Sequence, residues 1–310
     1  MSLDLLDAPL RVTWDVYQPG FHLSREDLLI IAERLLEGGV FFVWLDGSPV
    51  QHADIHELVS CLAQGCQVSL TLKPSRQDFS RLTAGWPVHA LFLDVSGLGE
   101  DDFSIVDEAV RTVRALGYAP AMLLRPSRAN LAQLPLVAHW CRSLEVGRLK
   151  LPNMPVSSHS ESPEQEDLPG PRDVDELRRR IGGDADALRK DLDLEIHDLF
   201  IWEILFPAGH QGRGEFGGCQ AANSLGHVAI NGDLYPCSSW PLALGSLLRA
   251  PLTDLWQSPL RMDVRSAISR LPAACGGCRD LPLCLGGCRG LAEIFARHSE
   301  GRDLMCRGPR

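Results

Sequence analysis

The chain has 310 residues, 45% of them apolar and 23% charged, which suits about two globular domains and not a disordered segment. No apolar run approaches the ~20 residues of a membrane span, and Met1–Asp7 lacks the basic start and apolar core of a signal peptide. The expected location is therefore the cytoplasm, where ten cysteines point to metal rather than to disulfides.

The net charge of −10 is uneven. Residues 210–310 hold 11 Arg against eight Asp and Glu, and the first 209 hold 19 basic against 32 acidic side chains. An acidic first domain argues against nucleic acid as partner. The mild basic excess that follows suits anionic thiolates, and suits an ordinary solvated surface equally well.

Six compact apolar runs open the chain: Arg11–Val16, Val40–Leu45, Gln67–Leu72, His89–Asp94, Ala119–Leu124 and Gly147–Leu151. Each is bounded by Gly, Pro or polar residues, as buried strands are. Helical stretches separate them. Ser24 heads an acidic first turn and an apolar stripe from Leu28 to Leu36, closed by Gly38-Gly39. Asp101–Leu116 and Asn130–Leu144 repeat the pattern. Strands alternating with helices predict a parallel sheet, and six units are too few for a closed eight-fold barrel. The expected fold is α/β, an open partial (βα)6 barrel over residues 1–209.

Residues 153–172 are acidic and rich in Pro and Ser, which reads as a mobile loop. Helices are expected at Asp173–Arg180 and Asp184–Leu192. Leu194–Leu205 reads as a last strand or a buried helix. Gly209-His-Gln-Gly-Arg-Gly marks the boundary to a small cysteine-rich α+β module at 210–310. There, His227–Cys237 reads as a hairpin whose Asn231-Gly232 predicts a type I′ turn.

The module's cysteines run Cys219-x17-Cys237, then Cys275-x2-Cys278-x5-Cys284-x3-Cys288, then Cys306, with Gly232 five residues before Cys237. A structural zinc commonly takes two C-x2-C pairs. Only one is present, and seven is an odd count. Dense thiolates at unequal short spacings suit iron–sulfur cubes, each held by four thiolates, better than zinc or an unmetallated thiol cluster. Cys61, Cys66 and Cys141 fall on predicted helices of the first domain, where buried inert thiols are expected.

This seven-cysteine pattern resembles the SPASM domain, the auxiliary-cluster module that follows radical S-adenosylmethionine (SAM) barrels in peptide-modifying enzymes. The resemblance covers about residues 215–310. It implies that Cys275, Cys278, Cys284 and Cys306 hold one [4Fe–4S] cluster, and that Cys219, Cys237 and Cys288 hold another. The fourth site of the latter is open or takes a non-Cys ligand, with His210 and His227 as weak candidates. The upstream domain resembles the radical SAM partial barrel. Pro9–Val16 looks like its first strand, Leu45-Asp-Gly-Ser-Pro49 its Gly-Gly-Glu-Pro strand end, and Asp94–Gly99 its fourth strand end.

That family's chemistry needs C-x3-C-x2-C after strand one. Here Tyr17-Gln-Pro-Gly-Phe-His22 has no cysteine, and the glutamate position reads Ser48. The resemblance thus implies a barrel without SAM-cleaving chemistry and without SAM. The whole chain is similar to the SPASM-only members of GeoRSP systems, which accompany a radical SAM/SPASM enzyme and a peptide chaperone. The expected function is a non-catalytic iron–sulfur subunit of such an enzyme, relaying electrons or holding a ribosomal precursor peptide. A peptide-binding module with structural clusters, and an enzyme using an open cluster iron, are the alternatives.

Overall fold

The computed structural model of the chain describes residues 6–152, 167–207, 218–294 and 301–309. Its strands are β1 (Arg11–Asp15), β2 (Tyr17–Gln18), β3 (Phe21–His22), β4 (Phe42–Asp46), β5 (Gln67–Leu72) and β6 (Ala90–Asp94). They continue with β7 (Pro120–Leu123), β8 (Arg148–Leu151), β9 (Asp193–Ile196), β10 (Leu225–Val228), β11 (Asp233–Tyr235) and β12 (Gly245–Ser246). Ten of them form one open sheet in the order β12-β11-β10-β1-β4-β5-β6-β7-β8-β9, and β2 and β3 form a separate hairpin. From β10 through β9 every pairing is parallel.

The fold is α/β with an open partial barrel. All six expected strands are present. The ambiguous stretch after Leu192 resolves into both alternatives, β9 and then a helix at Leu199–Leu205. The helix after the acidic loop begins at Pro171, two residues earlier than expected, because Pro at the first turn costs no hydrogen bond. Residues 153–166 of that loop, the boundary near residue 209 and His210 lie outside the described residues.

Alternation along the strands separates two faces. Val12 and Trp14, Val43 and Leu45, and Val68, Leu70 and Leu72 turn outward into the main core. Helices cover that face. In Arg25–Glu37 the Ser24 hydroxyl accepts the Asp27 N–H, and Leu28, Ile31, Ala32 and Leu35 are buried. Phe103–Ala115 contributes Val106, Ala109, Val110 and Val113. Each such aliphatic side chain stabilises the fold by roughly 2 kcal/mol. The inner face is different. It carries a small apolar cluster of Trp44, Ala90, Phe92, Ala121 and Leu123, with charged residues around it.

The module's hairpin joins this same sheet. β10 lies parallel to β1, with Thr13 opposite His227, and β11 runs back antiparallel. Its turn is not type I′. Gly232 has φ +83°, but Asn231 is not among the residues at positive φ. The Gly232 N–H donates to Ala229 O, and the Ala229 N–H to Asp233 O. That is a three-residue loop closed by a left-handed glycine. Among the described residues no helix is long and apolar enough to cross a membrane.

Candidate metal centre

The hairpin delivers Cys237 two residues beyond β11, and Cys219 lies just before the Ala221–Leu225 bridge that leads into β10. Cys288 precedes the helix Arg289–Ile294. That helix can reach Cys237 only because position 290 is glycine: a Cβ there would lie 2.5 Å from Ser239 O. All three thiols line one cavity of about 280 Å³, together with Asp198, Gln220 and Gly287. Their electrostatics show the same convergence. Burial pushes the Cys237 thiol up to about 12, and the neighbouring Cys219 adds to it. Burial raises Cys288 as well, reinforced by Asp303, Cys219 and Cys237.

Backbone donors already point at these sulfurs. Cys219 accepts the N–H groups of Ala221 and Arg289, Cys237 those of Ser239 and Trp240, and Cys288 that of Leu291. Asp303 fixes the loop by accepting the Cys288 N–H at 2.6 Å and the Met305 N–H at 2.8 Å.

The second group forms around Cys275, which closes the short helical turn Ala273–Cys275. Burial raises this thiol, and Cys306 and then Cys278 add to the effect while Arg289 opposes it. The Gly308 N–H donates to Cys306 Sγ at 3.3 Å. Cys284 ends the helix Leu281–Cys284 on the same stretch of chain.

These residues fit an iron–sulfur cluster by two tests. Buried thiols clustered together resist ionisation, and a bound metal supplies the positive charge that offsets this. Two guanidinium nitrogens beside them, Arg265 Nε and Arg289 Nε, are buried without a hydrogen-bond partner. The sulfurs of a cluster are acceptors for such donors. Among the described residues no three His, Cys, Asp or Glu side chains converge on a single metal ion. A cube spreads its thiolates more widely than one ion does.

The other cysteines stay apart. Cys141 is buried on Leu134–Ser143, its thiol pushed up to about 12 by burial. Cys66 is not helical as expected. It sits in the turn before β5, donating to Val40 O at 3.1 Å, with burial raising its thiol to about 11. Cys61 is half-buried on Ile55–Leu62. His227 lies beneath Thr13 and does not line the three-thiol cavity.

At the barrel mouth the loop after β1 is the tight β2–β3 hairpin. Asp46, at the end of β4, is held by Arg125 at 2.7 Å and 2.8 Å, and Arg125 also donates to Asp94 at 2.9 Å. Burial works against the charges of Asp46 and Arg125. The attraction outweighs it, lowering the Asp46 carboxyl and raising the Arg125 guanidinium. Sequence reasoning marked the ends of β4 and β6 but missed Arg125. A cation directly after the apolar strand Ala119–Leu124 was the available signal.

A family profile described as the SPASM iron–sulfur cluster-binding domain matches residues 219–279. Residues 219–279 therefore carry a SPASM domain. The matched SPASM segment contains Cys219, Cys237, Cys275 and Cys278, and the remaining three cysteines follow it. No curated protein matches the chain. Among solved structures, Streptococcus suis SuiB is similar at 16% identity and a TM-score of 0.71, over 98% of this chain and 78% of that one. SuiB bound to its precursor peptide SuiA gives a TM-score of 0.72 at 16% identity, over 98% of this chain and 77% of that one. Native anSMEcpe, with bound AdoMet and the Cp18Cys peptide, gives 0.67 at 16% identity, over 96% and 93%. At such identities the likeness is one of fold.

Proposed function

We propose that this SPASM protein is a non-catalytic iron–sulfur subunit that docks on a radical SAM enzyme and helps it modify a ribosomal peptide. Cys219, Cys237 and Cys288 hold one [4Fe–4S] cluster, with an open or non-Cys fourth site, and Cys275, Cys278, Cys284 and Cys306 hold the second. Bound clusters supply one-electron redox capacity. The protein contributes the cavity, the N–H donors at the sulfurs and the guanidinium groups of Arg265 and Arg289.

The Arg125 clamp carries the non-catalytic reading. By family resemblance, Asp46-Gly47-Ser48 occupies the strand end that meets SAM. There the carboxylate of Asp46 is committed to an internal guanidinium, and the hairpin at 17–22 has no thiolate. The 1–209 barrel thus serves as a scaffold for the 210–310 module. That SuiB and anSMEcpe were each solved with a peptide bound supports a peptide as the third component.

Relayed electrons need a donor or acceptor, so the reading requires a partner. Anaerobic co-expression with a neighbouring radical SAM enzyme, followed by size-exclusion chromatography at low and high salt, tests it. One co-eluting complex, and partner turnover that depends on this chain, are expected. Separate elution at both salts with unchanged turnover defeats the reading.

A further inference from the structure

The inner face of the barrel encloses a second cavity of about 230 Å³, lined by the sheet on one side and by Cys237–Ser239 on the other. Most of its charges are satisfied. Arg125 pairs with Asp46 and Asp94. Lys150 reaches Glu195 at 2.7 Å, and Arg11 pairs with the same carboxylate. His197 also lines the cavity, its pKa pulled down to about 4 by burial, and two further groups are left. The His227 ring is 1% exposed, and its Nδ1 lies 2.9 Å from Thr13 Oγ1, yet its Nε2 is buried without a hydrogen-bond partner. That nitrogen lies 3.7 Å from Asp15 Oδ2. Asp15 faces Asp46 across the β1–β4 register, and among the described residues no Lys or Arg pairs with it.

A carboxylate that is 14% exposed and a buried ring nitrogen without a hydrogen-bond partner line one cavity and define a receptor for a cationic donor. The adjoining walls of Trp44, Leu151, Pro152, Ile196 and Leu225 are largely apolar. We infer that this cavity binds an alkylammonium group, held between the Asp15 carboxylate and His227 Nε2, with its stem along those walls. His227 accepts in the tautomer whose Nδ1–H donates to Thr13 Oγ1. A lysine side chain of a peptide and a free amine share this chemistry. The inference rests on the proposed function only for the peptide source.

Protonation follows from the same neighbours. Burial, aided by Asp46 and opposed by Arg125, pushes the Asp15 carboxyl up to about 7. Burial pulls His227 down to about 4, so it stays neutral. Lys73 after β5 and Asp94 at the end of β6 line the neighbouring opening beside Asp15. The ammonium favours ionised Asp15 and expels its proton. Affinity therefore rises as pH climbs through about 7 and levels off above it.

Calorimetric titration of the anaerobic, iron-loaded chain with pentylammonium and with neutral pentanol tests the site. Pentylammonium should bind at least about tenfold more tightly at pH 8, as expected for charged hydrogen bonds. The preference should shrink at pH 6 and vanish in Asp15→Asn, which keeps the side-chain shape. If that variant fails to load iron, His227→Gln serves, with an expected loss of several-fold. Equal binding of the two probes, or a preference surviving in both variants, overturns the inference. So does SAM binding more tightly than pentylammonium, because the cavity then belongs to a cofactor. A pentapeptide with a central lysine, compared with its norleucine analogue, separates the sources: preference for lysine means a peptide, and pentylammonium binding without that preference means a free amine. The titration does not depend on whether a radical SAM enzyme co-elutes, so failure of the subunit reading and failure of this site are told apart.

Discussion

Arg125 grips both carboxylate oxygens of Asp46, at 2.7 Å and 2.8 Å, and ties the end of β4 to the segment after β7 across the barrel mouth. The same guanidinium reaches Asp94 at the end of β6. One side chain thus joins three strand ends at the rim where ligands enter α/β barrels.

Removing that side chain leaves the buried Asp46 carboxylate and the partly buried Asp94 carboxylate without a cation. Arg125→Gln should therefore destabilise the barrel by about 3 kcal/mol. Adding Asp46→Asn to it should recover part of the loss, because one orphaned charge is gone. Chemical denaturation followed by tryptophan fluorescence measures both. Strictly additive losses in the double variant would show that the clamp is not a cooperative unit.

The clamp and the thiol-free hairpin at 17–22 also set the chemistry. The isolated chain, reduced with dithionite and given SAM, should produce no 5′-deoxyadenosine above a protein-free control. Turnover that persists after rigorous removal of contaminating enzymes refutes the non-catalytic reading.

The two thiol groups make separate demands on iron. Cys237→Ala should remove the cluster of Cys219, Cys237 and Cys288 and leave about four of eight irons. Cys275→Ala should remove the other. Each should also weaken the segment around the cysteines, as coupling of metal binding to folding requires. Cys61→Ala, on a helix of the barrel, should leave the iron content unchanged. Iron counting with Mössbauer spectra decides, and iron loss in Cys61→Ala equal to that in Cys237→Ala would overthrow the ligand assignment.

The strands and the thiols were legible because each is written locally. Compact apolar runs with Gly, Pro or polar flanks locate β1 and β4 to β8, and spacing alone draws attention to the seven cysteines. What was not legible is long-range. Nothing in the sequence near Asn231 says that its turn is three residues long. That follows from Gly232 tucking against Ile31 and Leu248. Arg125 and Asp46 are 79 residues apart, and Asp15 meets His227 only because β10 docks beside β1. Buried polar groups that act in pairs leave no periodic trace, so the barrel mouth emerged only once the strands were in register.

The placement of Arg289 and Arg265 would separate the two proposed clusters electrically. Arg289 acts on both Cys219 and Cys275, whereas Arg265 acts on Cys219 and donates to its carbonyl at 2.8 Å. A reduced cluster carries one more negative charge, which a nearby cation stabilises. Removing that cation lowers the reduction potential, by roughly 50–100 mV for a charge several ångströms away at an effective dielectric near 20. Arg289→Gln should lower both couples, and Arg265→Gln only that of the Cys219, Cys237 and Cys288 cluster. Redox titration monitored by electron paramagnetic resonance resolves the two signals. If Arg289→Gln moves a single couple, then Cys219 and Cys275 serve the same cluster, and the division of the seven thiolates must be redrawn.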